Sequence, residues 1–266
     1  MRTTCPFCGT PLVEKTGVLS CPSCGSCRPA QPSEFDDPQD GDPSTWADTG
    51  HKLLNEKRYL EAVRWLIPAA AWGVSDAQAD LGYLYGNGLG VAKDLNMSLD
   101  YYNDAASLGI NPYAEYEIGR FYRYGWGVEV DYECAMEHFQ TAADEGYASA
   151  QVELGTMYMD GRGVAKNYTE AMRWFTLAAA QGDATAEINI GYLYASGFGV
   201  NKDFAESLKW YKKSAEHGNA YAQYEVGRFY RYAWGVERND AVALSWFKKA
   251  LASGYAPAQE EIDKIG

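Results

Sequence analysis

The chain of 266 residues has no uninterrupted apolar run of about 18 residues, the length a helix needs to cross a bilayer. Its opening, Met1-Arg2-Thr3-Thr4-Cys5-Pro6, lacks the apolar core of a secretory signal, so a cytoplasmic protein with no membrane partner is expected. Positive charge is scarce: 23 Lys and Arg face 36 Asp and Glu, a formal net charge of −13. That balance argues against nonspecific binding to nucleic acid or to an anionic membrane. Histidine occurs three times, and beyond residue 27 the only cysteine is Cys134, which excludes a distributed disulfide framework. No nucleophile paired with a base emerges, and no enzyme activity is expected.

What the chain does have begins with five cysteines in its first 27 residues. Cys5-Pro6-Phe7-Cys8-Gly9 and Cys21-Pro22-Ser23-Cys24-Gly25 are two copies of one pattern, with twelve residues between Cys8 and Cys21. Two residues between paired thiols let both sulfurs converge on one ion at about 2.3 Å, and two pairs fill a tetrahedral shell that leaves no position for substrate. Cys27 competes with Cys21 on spacing, while the duplicated pattern favours Cys21. Leu12-Val13 and Val18-Leu19 are expected as short facing strands. The head resembles the zinc-ribbon family over residues 1–28, matched at Cys5, Cys8, Cys21 and Cys24. That resemblance implies one structural Zn2+ and, as an alternative role for the protein, a regulator whose ribbon contacts nucleic acid while the remainder recruits a partner.

Residues 29–44 carry four prolines and five acids with a single large apolar side chain, Phe35. Such a segment buries too little surface to offset its ordering entropy and is expected to be an acidic linker.

From residue 45 to 266 the chain is periodic. Ala77, Ala114, Ala150, Ala186, Ala222 and Ala258 recur at spacings of 37, 36, 36, 36 and 36. Each unit reads as two antiparallel helices. Ala77, Leu81, Leu84 and Tyr85 form one apolar stripe at helical spacing, and a Gly-X-Gly-Val loop ends that helix. Asp94, Asp131, Asn167, Asp203 and Asn239 then stand where an N-cap is needed. Asn167 with Glu170, and Asp203 with Glu206, have the offset of a capping box. Gly109, Gly146, Gly182, Gly218 and Gly254 are expected to stop the second helices. These units resemble the Sel1-like repeat family, a variant of the tetratricopeptide repeat, over residues 76–254. The opening unit, with Trp46, Gly50, Tyr59, Ala62 and Ala69, lacks the loop and is similar to an ordinary tetratricopeptide repeat, and Ala258 and Ile262 belong to a cap helix. The resemblance implies an all-α fold, a right-handed α/α superhelical repeat solenoid behind the small zinc-ribbon β module. It also implies a scaffold that holds proteins or peptides on its concave face.

One feature exceeds the repeat frame. Residues 113–129 recur as residues 221–237 with 14 of 17 identical. Tyr113, Tyr116, Arg120, Arg123 and Tyr124 fall on one helical stripe, as do Tyr221, Tyr224, Arg228, Arg231 and Tyr232, and both are expected on the concave side as the partner-binding residues. Arginine beside tyrosine offers forked donors and flat faces, so an anionic protein or peptide is the expected partner. Stacking of these side chains within the array, contacts between copies of the chain, and a duplicated block that has not diverged, are the competing readings.

Overall fold

The computed structural model describes residues 13–15, 18–20, 41–109 and 111–266. They fall into two compact units, one ending at Val130 and one spanning Asp131–Gly266. Near the start, β1 (Val13–Lys15) pairs antiparallel with β2 (Val18–Ser20), Val13 facing Ser20 and Lys15 facing Val18. Cys5, Cys8, Cys21 and Cys24, the expected zinc ligands, lie outside the described residues, as do Cys27 and the linker up to residue 40.

The first unit continues with α1 (Pro43–Asn55), α2 (Tyr59–Ala71), α3 (Ser75–Asn87), α4 (Leu95–Ser107) and α5 (Pro112–Tyr124). α1 begins inside the stretch expected as linker. Asp42 caps it, its carboxylate accepting from the Ser44 amide at 3.0 Å, and Pro43 takes the first helical position, where its missing N–H costs nothing. Three residues join α1 to α2, whereas seven join α3 to α4, so the opening pair lacks the glycine loop as the sequence indicates.

The second unit holds α6 (Tyr132–Asp144), α7 (Ala148–Asp160), α8 (Tyr168–Ala180), α9 (Ala184–Ser196), α10 (Phe204–Glu216), α11 (Ala220–Tyr232), α12 (Asp240–Ala252) and the short α13 (Ala258–Asp263). In both units the frame alanines are fully buried, and so are the aliphatic residues four positions on in the five loop-bearing repeats, as with Ala77 and Leu81 or Ala150 and Leu154; Ile262, four after Ala258, is partly buried. Gly155 lets α7 and α8 approach closely: a Cβ there would stand 2.5 Å from the Phe175 ring.

All five expected N-caps accept a backbone N–H of their helix: Asp94, Asp131, Asn167, Asp203 and Asn239. The reciprocal half of the capping box is absent. The Asn167 and Asp203 amides instead donate to the carbonyls of Tyr158 and Tyr194, at 2.8 and 3.0 Å, tying each loop back to its first helix. With that amide occupied, Glu170 and Glu206 turn forward to Arg173 and Lys209.

Candidate functional site

The duplicated stripe lies on α5 in the first unit and α11 in the second. On α5, one nitrogen of Arg120, Nη1, donates to both oxygens of Glu117 at 2.9 and 3.1 Å. The guanidinium lies between two rings, 5.6 Å from the Tyr116 centroid and 4.8 Å from that of Trp126. Trp126 in turn stacks on Tyr124 at 5.2 Å. α11 repeats the construction: Arg228 pairs with Glu225 at 2.9 Å and faces Tyr224 at 5.9 Å and Trp234 at 5.0 Å, with Tyr232 against Trp234 at 5.4 Å. Tyr124 and Tyr232 are both 46% exposed, so each ladder ends on an open aromatic edge. Burial pushes the Glu117 carboxyl up, and Arg120 opposes that shift.

Arg123 and Arg231 depart from the expected stripe. At about 100° per residue each is turned roughly 60° from the arginine three positions earlier, toward the packed side of the helix. Arg123 is only 8% exposed and lies 5.3 Å from the Tyr124 centroid. Arg231 binds Asp240 of α12 at 2.8 Å and the Lys264 carbonyl at 3.3 Å. Both are therefore framework residues. Tyr232 also donates to Glu261 of α13 at 3.0 Å. Tyr113 packs edge-on against Tyr102, and Tyr221 and Tyr224 pack against Tyr255. Burial, then Glu225, pushes the Tyr221 phenol up to about 12. Stacking within the array is thus real, and it pre-orders Arg120 and Arg228 instead of hiding them.

Trp126 and Trp234 complete both ladders, yet they lie in the loops and not on the helical stripe. Their signal was present in the sequence: the residue before the second glycine of each loop is Leu89, Trp126, Arg162, Phe198 or Trp234, the last in Ala233-Trp234-Gly235, and tryptophan appears there in the two duplicated copies alone.

Arg228 and Trp234 also line a cleft of about 300 Å³ between α9, α10 and α11, with Tyr192, Lys202, Phe204 and Tyr221 around them. A larger groove of about 620 Å³ lies between α1, α3 and α5 in the first unit. Its polar lining includes Asp48, His51, Asp76, Asp80, Tyr83 and Tyr113, and no lysine or arginine is among its lining residues. Asp80 Oδ2 stands 2.9 Å from His51 Nδ1, and Asn111 donates to Asp76 at 3.3 Å. Burial raises the Asp80 carboxyl above its ordinary value, with His51 opposing. Among the described residues, no group of three or more His, Cys, Asp or Glu side chains is placed to hold a metal ion.

Comparison with known proteins follows the periodicity. The family profile described as Sel1 repeat matches residues 75–110, 112–147, 148–183, 184–219 and 220–255. A Sel1 repeat protein from Oxalobacter formigenes is 33% identical over 83% of this chain and 87% of its own, with a TM-score of 0.77. The protective antigen c5321 of uropathogenic Escherichia coli is 30% identical over 85% of this chain, with a TM-score of 0.78; the chain spans about half of that protein, 49%. The immunity protein Pa5087 from Pseudomonas aeruginosa, 23% identical over 83% of this chain and 85% of its own with a TM-score of 0.52, shares the fold. No curated protein matches the chain.

Proposed function

The chain belongs to the Sel1 repeat family, and from that premise we propose that it is a protein-interaction scaffold that captures acidic segments of a partner at Arg120 and Arg228. One observation carries this reading: each guanidinium is held between aromatic rings and spends only Nη1 on its glutamate. The remaining N–H donors of the fork suit a carboxylate, while Tyr124 with Trp126, and Tyr232 with Trp234, offer flat surface to the chain that bears it. The nearby glutamate lowers the net charge of each site, so selectivity rests on forked hydrogen bonds and stacking more than on long-range attraction.

The Arg120→Ala/Arg228→Ala double variant tests it. The immobilised wild-type chain is expected to retain proteins from a cell lysate, identified by mass spectrometry, that the variant loses, with the helical circular dichroism unchanged. Equal recovery by both would overturn the reading. Arg231→Ala, which cuts a contact to α12, is expected to lower thermal stability and leave capture intact.

For the head we propose one structural Zn2+ held by Cys5, Cys8, Cys21 and Cys24. The β1–β2 hairpin supports this, since it turns the chain back on itself between the two cysteine pairs. When bound, zinc supplies a cross-link between those pairs and no reactive position.

A further inference from the structure

We propose that the groove between α1, α3 and α5 receives an arginine side chain of a partner protein or peptide, its guanidinium seated on Asp80 beside Tyr83 and Tyr113. This rests on the scaffold reading but on residues other than Arg120 and Arg228, and on a ligand of opposite charge.

The repeats themselves show the filled form of the site. Three residues after the frame alanine stand Asp80, Glu117, Glu153, Glu225 and Glu261 in five of the six units; six after it stand Tyr83, Arg120, Thr156, Arg228 and Lys264. In three of these five pairs the later residue is a cation that binds the acid one turn before it, at 2.9, 2.9 and 2.8 Å. Asp80 and Glu153 lack that cation in their own helix; of the two, Asp80 lines the groove, where it meets His51 of α1 at 2.9 Å. Asp80 is buried to the point that its side chain is 13% exposed, and tyrosine occupies the place from which arginine would reach it. The groove opens beside that carboxylate, so a cation from another chain can take the position that Arg120 holds over Glu117.

The remaining lining favours the same ligand. Asp48, Asp76 and Asp80 face it with His51 as the only basic group, so even a protonated imidazole leaves two negative charges in excess. Leu54, Val74 and Ala79 form an apolar wall suited to the methylene stem of a long cationic side chain. Tyr83 and Tyr113 offer ring faces, which a planar guanidinium uses better than a compact ammonium does. The segment of this chain that precedes α1 is a poor occupant, since Glu34, Asp36, Asp37, Asp40 and Asp42 carry the same sign as the groove.

The test uses the full chain labelled with 15N and acetylated, amidated pentapeptides Ala-Ala-X-Ala-Ala in which X is arginine, its neutral isostere citrulline, or glutamate. The arginine peptide is expected to shift the amide signals of Asp80, Tyr83 and Tyr113 saturably below about 10 mM, with at least about tenfold weaker binding of the other two. Asp80→Asn should weaken the arginine peptide about tenfold. Tyr83→Arg, which builds the pair that α5 and α11 already tolerate, should fill the site in cis and block the peptide. Arg228→Ala should leave this binding unchanged, so failure of the acidic-partner reading is told apart from failure of this one. Citrulline binding as tightly as arginine, no saturable shift with any peptide, or an undiminished response in Asp80→Asn and Tyr83→Arg would overturn the proposal.

Discussion

Asp240 stands at the first position of α12 between two guanidinium groups. Arg238 grips it with Nε at 3.1 Å and Nη2 at 2.8 Å, and Arg231 reaches it from α11 at 2.8 Å. Hydrogen bonds from Arg238 first, then from Arg231, hold its carboxyl at about 2 against an ordinary 3.8. A carboxylate depressed on folding contributes stability that is fully present above its unfolded value and is lost as pH falls through the folded one. The window for this group therefore runs from about pH 4 down to about pH 2. A carboxyl NMR titration is expected to place the Asp240 midpoint near 2 in the wild type and closer to 3.8 in Arg238→Ala, with the difference shrinking in high salt because the group is solvent-accessible. An unshifted midpoint in the variant would remove the account. The same ion pair explains why a stripe read from spacing overcounted the arginines. Helical periodicity ranks positions by angle, but it does not say where the next helix begins, and Asp240 lies just where Arg231 can reach it.

The first helices of the five loop-bearing repeats end by one device, with a single exception in residue type. The first helices α3, α5, α7 and α9 stop at Gly88, Gly125, Gly161 and Gly197, all with left-handed backbone, whereas α11 stops at Ala233 with φ of 58°. A Cβ in that region costs on the order of 1–2 kcal/mol. Ala233→Gly removes this cost but frees the unfolded chain, for a net gain of about 1 kcal/mol, read as an upward shift of the urea midpoint. Gly125→Ala is expected to lose more than that, since the added carbon would also meet Val130 Cγ2 at 2.9 Å. Equal and opposite shifts would show that the backbone region alone decides. Stops and caps were legible in the sequence because each is fixed by one residue type at one backbone conformation. The partner of the N-cap amide was not. The capping-box offset at Glu170 and Glu206 is compatible with two bonds, and the one that forms depends on a tyrosine carbonyl nine residues before each cap.

For the whole molecule, the 36-residue period made the helical architecture readable, because each repeat solves the same burial problem with the same alanines, glycines and aromatics. Binding surfaces were less readable, since they come from positions that the frame leaves free. The groove on α1, α3 and α5 brings together Asp48, Asp80 and Tyr113 from three successive first helices, and no single repeat contains its pattern. The two kinds of module also make separate demands on stability. The helical units bury cores such as that of Leu66, Leu81 and Leu84, whereas the proposed zinc head, about 28 residues long, would have too little apolar surface to hold itself without a metal. Elemental analysis of the full chain is therefore expected to find about one zinc per molecule. Removing it with a chelator should leave the helical melting transition in place while the 1H–15N signals of the β1–β2 hairpin collapse toward random-coil shifts. Cys8→Ser with Cys24→Ser should reproduce the chelated state. Zinc absent from the purified chain would refute the ribbon, and a helical transition that falls together with the metal would refute the independence of the two modules.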